Sequence, residues 1–268
     1  MKKYLSVFAM LARGSFFRIL LLLCLMAAGQ CGRFLHRLQN ELTLYESRVQ
    51  QFAGEAAELT RLESLINVST VSGTFAAAFL LICIVLCLPG CGWGANCGYT
   101  LRRLRISERA VFVIQALYNA MVFVILWAAE VLICLFLCRA YVNAADPSLV
   151  SHQTVGLAFY RNDFLHSLLP MADITVWIRN IIMLAVLSLA AASFPYKQRR
   201  GKFAADIVSY ALLSVIFFTR SVGDGFNTFI TVFFGLCIAA EVIWKVFANE
   251  EEGEEDTPHE ENQYPYAN

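Results

Sequence analysis

From Ala110 to Cys138 the chain runs through 29 residues with one charged side chain, Glu130. The run is continuously apolar rather than alternating, which fits a helix and not a barrel strand. About 20 mostly apolar residues suffice to cross the ~30 Å hydrocarbon core of a bilayer. Such a segment is either a membrane span or the centre of a large soluble core, and composition decides between them. Hydrophobic residues make up 58% of the 268 and charged residues 16%, with a mean hydropathy of +0.58. Soluble chains average about 25% charged. The 21 Lys+Arg and 21 Asp+Glu cancel, so no basic field points to nucleic acid. The expected fold is all-α, a polytopic membrane protein.

Six segments qualify as spans: Phe16–Gly32, Gly73–Trp93, Phe112–Cys138, Val176–Phe194, Phe203–Phe218 and Phe226–Phe247. The first and fifth are short and need flanking residues or slight bilayer thinning. Lys2, Lys3, Arg13 and Arg18 precede the first span, Arg102, Arg103, Arg105 and Arg109 follow the second, and Lys197, Arg199, Arg200 and Lys202 follow the fourth. With six spans these clusters share one side, and excess Lys/Arg marks the cytoplasm. The expected location is the plasma membrane, multi-pass, with both termini cytoplasmic. Residues 1–15 read as an amphipathic helix in the inner interface, with Tyr4, Leu5, Phe8 and Leu11 as its apolar face. Residues 16–247 form the six-helix transmembrane domain, and 248–268 an acidic, disordered cytoplasmic tail. The alternative for the first apolar run is a signal peptide, but Met1–Arg18 is long for a basic prelude and Ala-Ala-Gly-Gln-Cys lacks a small residue just before Cys31.

The extracellular segment 33–70 carries a heptad stripe, Leu35, Leu38, Leu42, Tyr45, Val49, Phe52, Ala56 and Leu59, which predicts helix. A straight helix from Leu35 to Ile66 would rise ~48 Å, too far for Asn67–Gly73 to bring the chain back at ~3.5 Å per residue. A bent hairpin broken near Gly54 is expected. Its stripe serves the packing of two arms, a dimer seam or a lid.

Chemistry is sparse. The cysteines lie mostly in spans, where a thiol acts as a small hydrophobe. Cys83, Cys87 and Cys91 recur every four residues, and Cys97 follows, without the paired C-x-x-C spacing of zinc sites. His36, His152, His166 and His259 are scattered, so no metal is expected. Neither a P-loop nor a G-x-S-x-G elbow is present. The chain is not expected to be an enzyme or to hold a cofactor, and energy for uphill movement must come from another chain or an ion gradient.

Polar groups inside spans are the exceptions. Gln115, Asn119 and Glu130 fall within ~40° of one helix face at 100° per residue. A carboxylate at position 130 is costly and must face protein or water, which makes it a pathway group or a helix lock. Glu241 and Lys245 are one turn apart and can pair. Asp206 and Arg220 are expected at headgroups or water. Tyr160–Asp173 mixes aromatic and charged residues and predicts a short interfacial helix ending at Pro170, suited to substrate selection or to membrane seating. Pro195 is expected to break the fourth span, leaving Tyr196–Lys202 as a topology-setting loop or a partner contact.

The loop 97–110 holds the most ordered pattern. Around Tyr99–Arg105 it forms a short basic amphipathic helix, with Leu101 and Leu104 apolar and Arg102, Arg103 and Arg105 outward. Ser107 then stands as N-cap of the third span's helix. Thr100, Leu101, Arg102, Leu104, Ile106 and Ser107 resemble the first cytoplasmic loop of permease subunits of type-2 ABC exporters. The chain is also similar to a little-characterised Firmicute membrane protein group sharing Gly-Tyr-Thr-Leu-Arg-Arg-Leu and Phe-Pro-Tyr-Lys-Gln-Arg-Arg. The resemblance covers the six-helix layout with an amphipathic N-terminal helix. It departs at Arg220–Gly225, too brief for the family's re-entrant hairpin, and in its large outer element after the first span. The resemblance implies that Thr100, Leu101, Arg102, Arg103, Leu104, Arg105 and Ser107 couple the chain to an ABC-type ATPase subunit in trans, with the permease as a homodimer or a heterodimer with a related permease. A non-transporting scaffold or sensor of the same fold, and an ion-coupled carrier using Glu130, are the other functions open.

Overall fold

Apolar runs of this length give long helices. The computed structural model describes residues 2–51, 59–88, 107–145, 150, 152–199, 205–219 and 224–247. Among the described residues every regular element is an α-helix: α1 (Lys2–Gln51), α2 (Leu62–Val68), α3 (Val71–Cys87), α4 (Glu108–Ala144), α5 (His152–Arg161), α6 (Asp163–Leu168), α7 (Ile174–Arg199), α8 (Asp206–Thr219) and α9 (Asp224–Phe247). Four of them, α1, α4, α7 and α9, are long and apolar enough to cross a bilayer, and α2 with α3 makes a fifth if that bent pair is one span. The chain is an all-helical membrane protein.

Where separate interfacial, spanning and outer segments were expected, α1 is one 50-residue helix. Its buried positions explain the continuity. Val7, Leu11, Ser15, Ile19, Met26, Gln30, Phe34 and Leu38 are all buried, at steps of four or seven that keep one stripe facing the bundle. Gly14, worth only about 1 kcal/mol against helix, is overridden by packing on α4. There the Phe8 ring meets Tyr118 edge-on at 5.5 Å, and Ser15 Oγ lies 2.6 Å from Tyr118 Oη. Tyr4 and Leu5 lie on the outer surface of the bundle, while Val7 and Leu11 face into it.

After α1 the chain returns, as the reach argument required. Thr60 donates its hydroxyl to Glu41 at 2.7 Å, and its carbonyl accepts from Tyr141 Oη at 2.8 Å. Gly54, the expected break, lies outside the described residues. Along the predicted stripe Leu38 is buried and Leu42, Tyr45 and Leu59 are half-buried, whereas Leu35 and Val49 are exposed and Phe34 is buried.

Between α2 and α3 the axis bends by 48°. Thr70 takes a left-handed conformation there, with φ 55°, which costs a residue bearing a Cβ about 1–2 kcal/mol. Ser69 Oγ donates to the carbonyls of Leu65 and Ile66 at 2.7 and 3.1 Å, and Ser69 N also donates to Leu65 O at 2.9 Å. The interfacial segment is likewise two helices rather than one. Asn162 separates α5 from α6 and caps α6 by accepting from Phe164 N and Leu165 N, both at 3.1 Å. The α6 helix ends before Pro170, as pre-proline geometry dictates.

Pro195 does not end α7, which continues to Arg199. The segment beyond the proline is held by packing, with Tyr196 against Phe112 at 6.3 Å and Lys197 in contact with Asp206 and Glu241. Asp206 pairs with Lys197 while its side chain stays partly exposed. α4 packs along both α1 and α7, α7 along α9, and α1 along α3.

Candidate functional site

Ser107 is the one residue of the predicted coupling set within the described residues. It has the extended backbone of an N-cap, and its Oγ accepts from Ala110 N at 3.3 Å. Thr100, Leu101, Arg102, Arg103, Leu104 and Arg105 lie outside the described residues.

The predicted polar stripe on α4 is buried throughout, with Gln115 at 3%, Asn119 at 1% and Glu130 at 0% exposure. Asn119 and Glu130 turn to different neighbouring helices. Asn119 turns to α7, its Nδ2 donating to the Ser188 carbonyl at a long 3.4 Å. Glu130 turns to α1, and buried Phe123 and Leu126 lie between these levels.

The partner of Glu130 is Gln30, which the sequence reading passed over at the end of the first span. Gln30 Nε2 donates to Glu130 Oε1 at 2.9 Å and Oε2 at 3.0 Å. It also donates to the Val71 carbonyl, at 3.2 Å, in the first turn of α3. One amide thus ties three helices at a single depth. Cys134, one turn along α4, adds a weak thiol donor at 3.8 Å. Gln30 itself is completely buried, and its Oε1 has no hydrogen-bond partner. Among the described residues no cation lies within ion-pair distance of Glu130. A fully buried carboxyl held by one amide and a thiol suits a fastening between helices. The cavities at Phe75, at Arg179 and at Arg33 do not include it.

Arg179 escaped the sequence reading, and Lys197 was read there only as part of a basic cluster. Arg179, 3% exposed in the second turn of α7, lies beside Asn180, which donates to the Ser167 carbonyl at 2.7 Å. With Tyr160, Asp163, His166, Asp173 and Asn227 it lines a polar cavity of about 240 Å³, and His166 pairs there with Asp173 at 3.0 Å. At the far end of α7, Lys197 is 5% exposed and bridges Asp206 to Glu241, while Glu241 also holds Lys245 as expected. An Arg one turn inside a span and a Lys beyond its proline were the available signals.

An apolar cleft beneath the polar cavity is lined by Phe75, Phe79, Phe123, Met183 and Phe218, with Trp127 and Asn180 at one edge. The Trp127 and Trp177 indoles donate to the carbonyls of Leu168 and Pro170 at 2.9 and 2.6 Å and meet edge-on at 5.3 Å, an arrangement typical of a membrane–water boundary. Among the described residues no group of three His, Cys, Asp or Glu side chains could hold a metal ion. Cys24, Cys31, Cys83, Cys87, Cys134, Cys138 and Cys237 are free thiols. No family model, curated protein or solved structure matches the chain.

Proposed function

We propose that this chain is the membrane-spanning, permease-like subunit of an ABC exporter, worked by a separate ATPase at the end bearing Ser107 and Arg199. The observation that carries the reading is α4. It is capped by Ser107 directly after the basic Thr100–Ile106 stretch and continues unbroken for 37 residues. Over the 22 residues from Glu108 to Glu130 it rises ~33 Å, packed along α1 on one side and α7 on another. A displacement at its capped end therefore reaches the Gln30–Glu130 fastening as a rigid shift. At that same end Arg109 Nη2 donates to the Phe247 carbonyl at 3.0 Å, tying in α9.

A six-pass layout with both termini on the cytoplasmic side of the plasma membrane accords with α8. This helix runs from Asp206, beside Lys197, to Phe218, packed at 5.5 Å on Phe75 and 5.8 Å on Phe164. It extends from the inner end of α7 to the layer of α6 although it has only 14 residues.

The test is co-purification with a co-expressed ABC-type ATPase subunit that has a P-loop and no membrane span. Reversing Arg102, Arg103 and Arg105 to Glu should abolish association while membrane insertion persists, and undiminished association overturns the reading. A second reading, a non-transporting scaffold or sensor, is favoured by the fully buried Gln30–Glu130 pair. It expects no ATP-dependent contact at all. An ion-coupled carrier using Glu130 expects pH-dependent transport that Glu130→Gln removes.

A further inference from the structure

Between α1 and the α2–α3 bend lies a cavity of about 420 Å³ lined by Arg33, His36, Arg37, Asn40, Val68, Ser69 and Thr70. We propose that it binds a phosphate group, as carried by the headgroup of an anionic phospholipid. The inference rests on this cavity alone and is independent of the exporter reading.

Charge comes first. Two guanidiniums and an imidazole line the cavity, and among the described residues no acidic side chain does. Glu41, one turn beyond Arg37, keeps its charge while accepting from Thr60, and Glu63 lies 3.9 Å from Arg61. The described walls of the cavity itself therefore carry only positive charge.

Position comes second. Residues 19–32 are uncharged, and Arg33 is the first charge at that end of the run. It stands three residues, ~4.5 Å of rise, beyond Gln30, which bonds α3 at its first residue. The cavity therefore opens where the apolar layer ends and phosphates of a bilayer begin. A basic pocket between helices at that depth suits an anionic headgroup.

Geometry comes third. Arg33 Nη1 donates to Thr70 Oγ1 at 2.8 Å, which fixes one guanidinium against the bend and leaves its other donors for a ligand. Arg37 follows one turn along the same face, and the His36 ring is steadied by Asn40 at 3.4 Å. Two guanidiniums separated by one turn can take a phosphate from two sides, each by paired N–H donors. The bound group would sit on the left-handed Thr70, so its occupancy would brace the α2–α3 bend.

The experiment uses the purified full chain in a neutral detergent. Binding is read by native mass spectrometry, and the thermal midpoint is followed in parallel. The probes are dioleoylphosphatidylglycerol, dioleoylphosphatidylcholine and inorganic phosphate. Phosphatidylglycerol should bind in preference to phosphatidylcholine, and Arg33→Gln/Arg37→Gln should weaken its retention about thirtyfold. Arg37→Gln alone, which removes no hydrogen bond of the fold, should weaken it about fivefold and guards against misfolding of the double variant. Arg33→Lys/Arg37→Lys should recover part of the loss. Saturation by inorganic phosphate at the same site, lost in the same variants, identifies a soluble phosphate as the source instead of a lipid. Equal retention of the two lipids without phosphate binding overturns the proposal, and so does undiminished binding in the Gln variants.

Discussion

Gly235 lies so close beneath Tyr210 that a Cβ built on it would stand 2.6 Å from the phenol oxygen. The same Cβ would lie 3.2 Å from Tyr210 Cζ and 3.3 Å from Val186 Cγ2, so α7, α8 and α9 converge on one absent side chain. Tyr210 cannot swing away freely, because its hydroxyl donates to the Thr231 carbonyl at 3.1 Å. Gly235→Ala should destabilise the protein by about 1–3 kcal/mol through overpacking. Adding Tyr210→Phe should return part of that, measured by thermal unfolding in detergent. If Gly235→Ala is neutral, the close approach is wrong.

Gln30→Leu removes the amide that serves both carboxyl oxygens of Glu130 and the Val71 carbonyl. The expected loss is about 1–3 kcal/mol for leaving buried polar groups unsatisfied. Glu130→Gln keeps an acceptor for Gln30 Nε2 and should cost less than Glu130→Leu. A double-mutant cycle over Gln30 and Glu130 should give a coupling of about 1–2 kcal/mol. Additive effects would show that the two side chains do not meet.

Lys197→Met strips the cation from Asp206, whose side chain is 18% exposed. Breaking a buried pair from one side costs about 3–5 kcal/mol, and the figure here falls toward the lower end because Glu241 keeps Lys245. Lys197→Met/Asp206→Leu should regain most of it. The check is the denaturant midpoint of both variants, and equal stability of the single and double variants would contradict the pairing.

Ser107→Ala takes away the acceptor of Ala110 N, worth about 1 kcal/mol at a helix start. Amide exchange should quicken in the first turn of α4 and stay unchanged near Asn119. Uniform exchange along α4 would mean that the cap does not hold that end.

Much of the fold was legible. Apolar runs announced α3, α4, α7 and α9, and Ser107 was readable as a cap because it precedes the periodic stretch. Reach arithmetic alone demanded the return that Thr60 and Glu41 make. The burial of Gln115, Asn119 and Glu130 followed from their angular spacing. Their partners did not, since Gln30 and Ser188 are chosen by which helices pack together, and no local pattern carries that information. Ser15 and Gln30 interrupt an apolar stripe, so hydropathy divided α1 where packing unites it. The bend at Thr70 has no Gly or Pro to mark it, and charge counting assigned Lys197 to topology when tertiary pairing had claimed it.

The length of α1 has a mechanical corollary. Fifty residues make a rod of ~75 Å, more than twice the apolar thickness it crosses. Such a mast amplifies whatever its waist does. If it pivots about its midpoint, a sway of about 10° carries either tip roughly 6–7 Å sideways, on the scale of one helical turn. Small rearrangements among buried side chains would then be visible from the solvent, at Gln51, as an excursion that a distance label can follow.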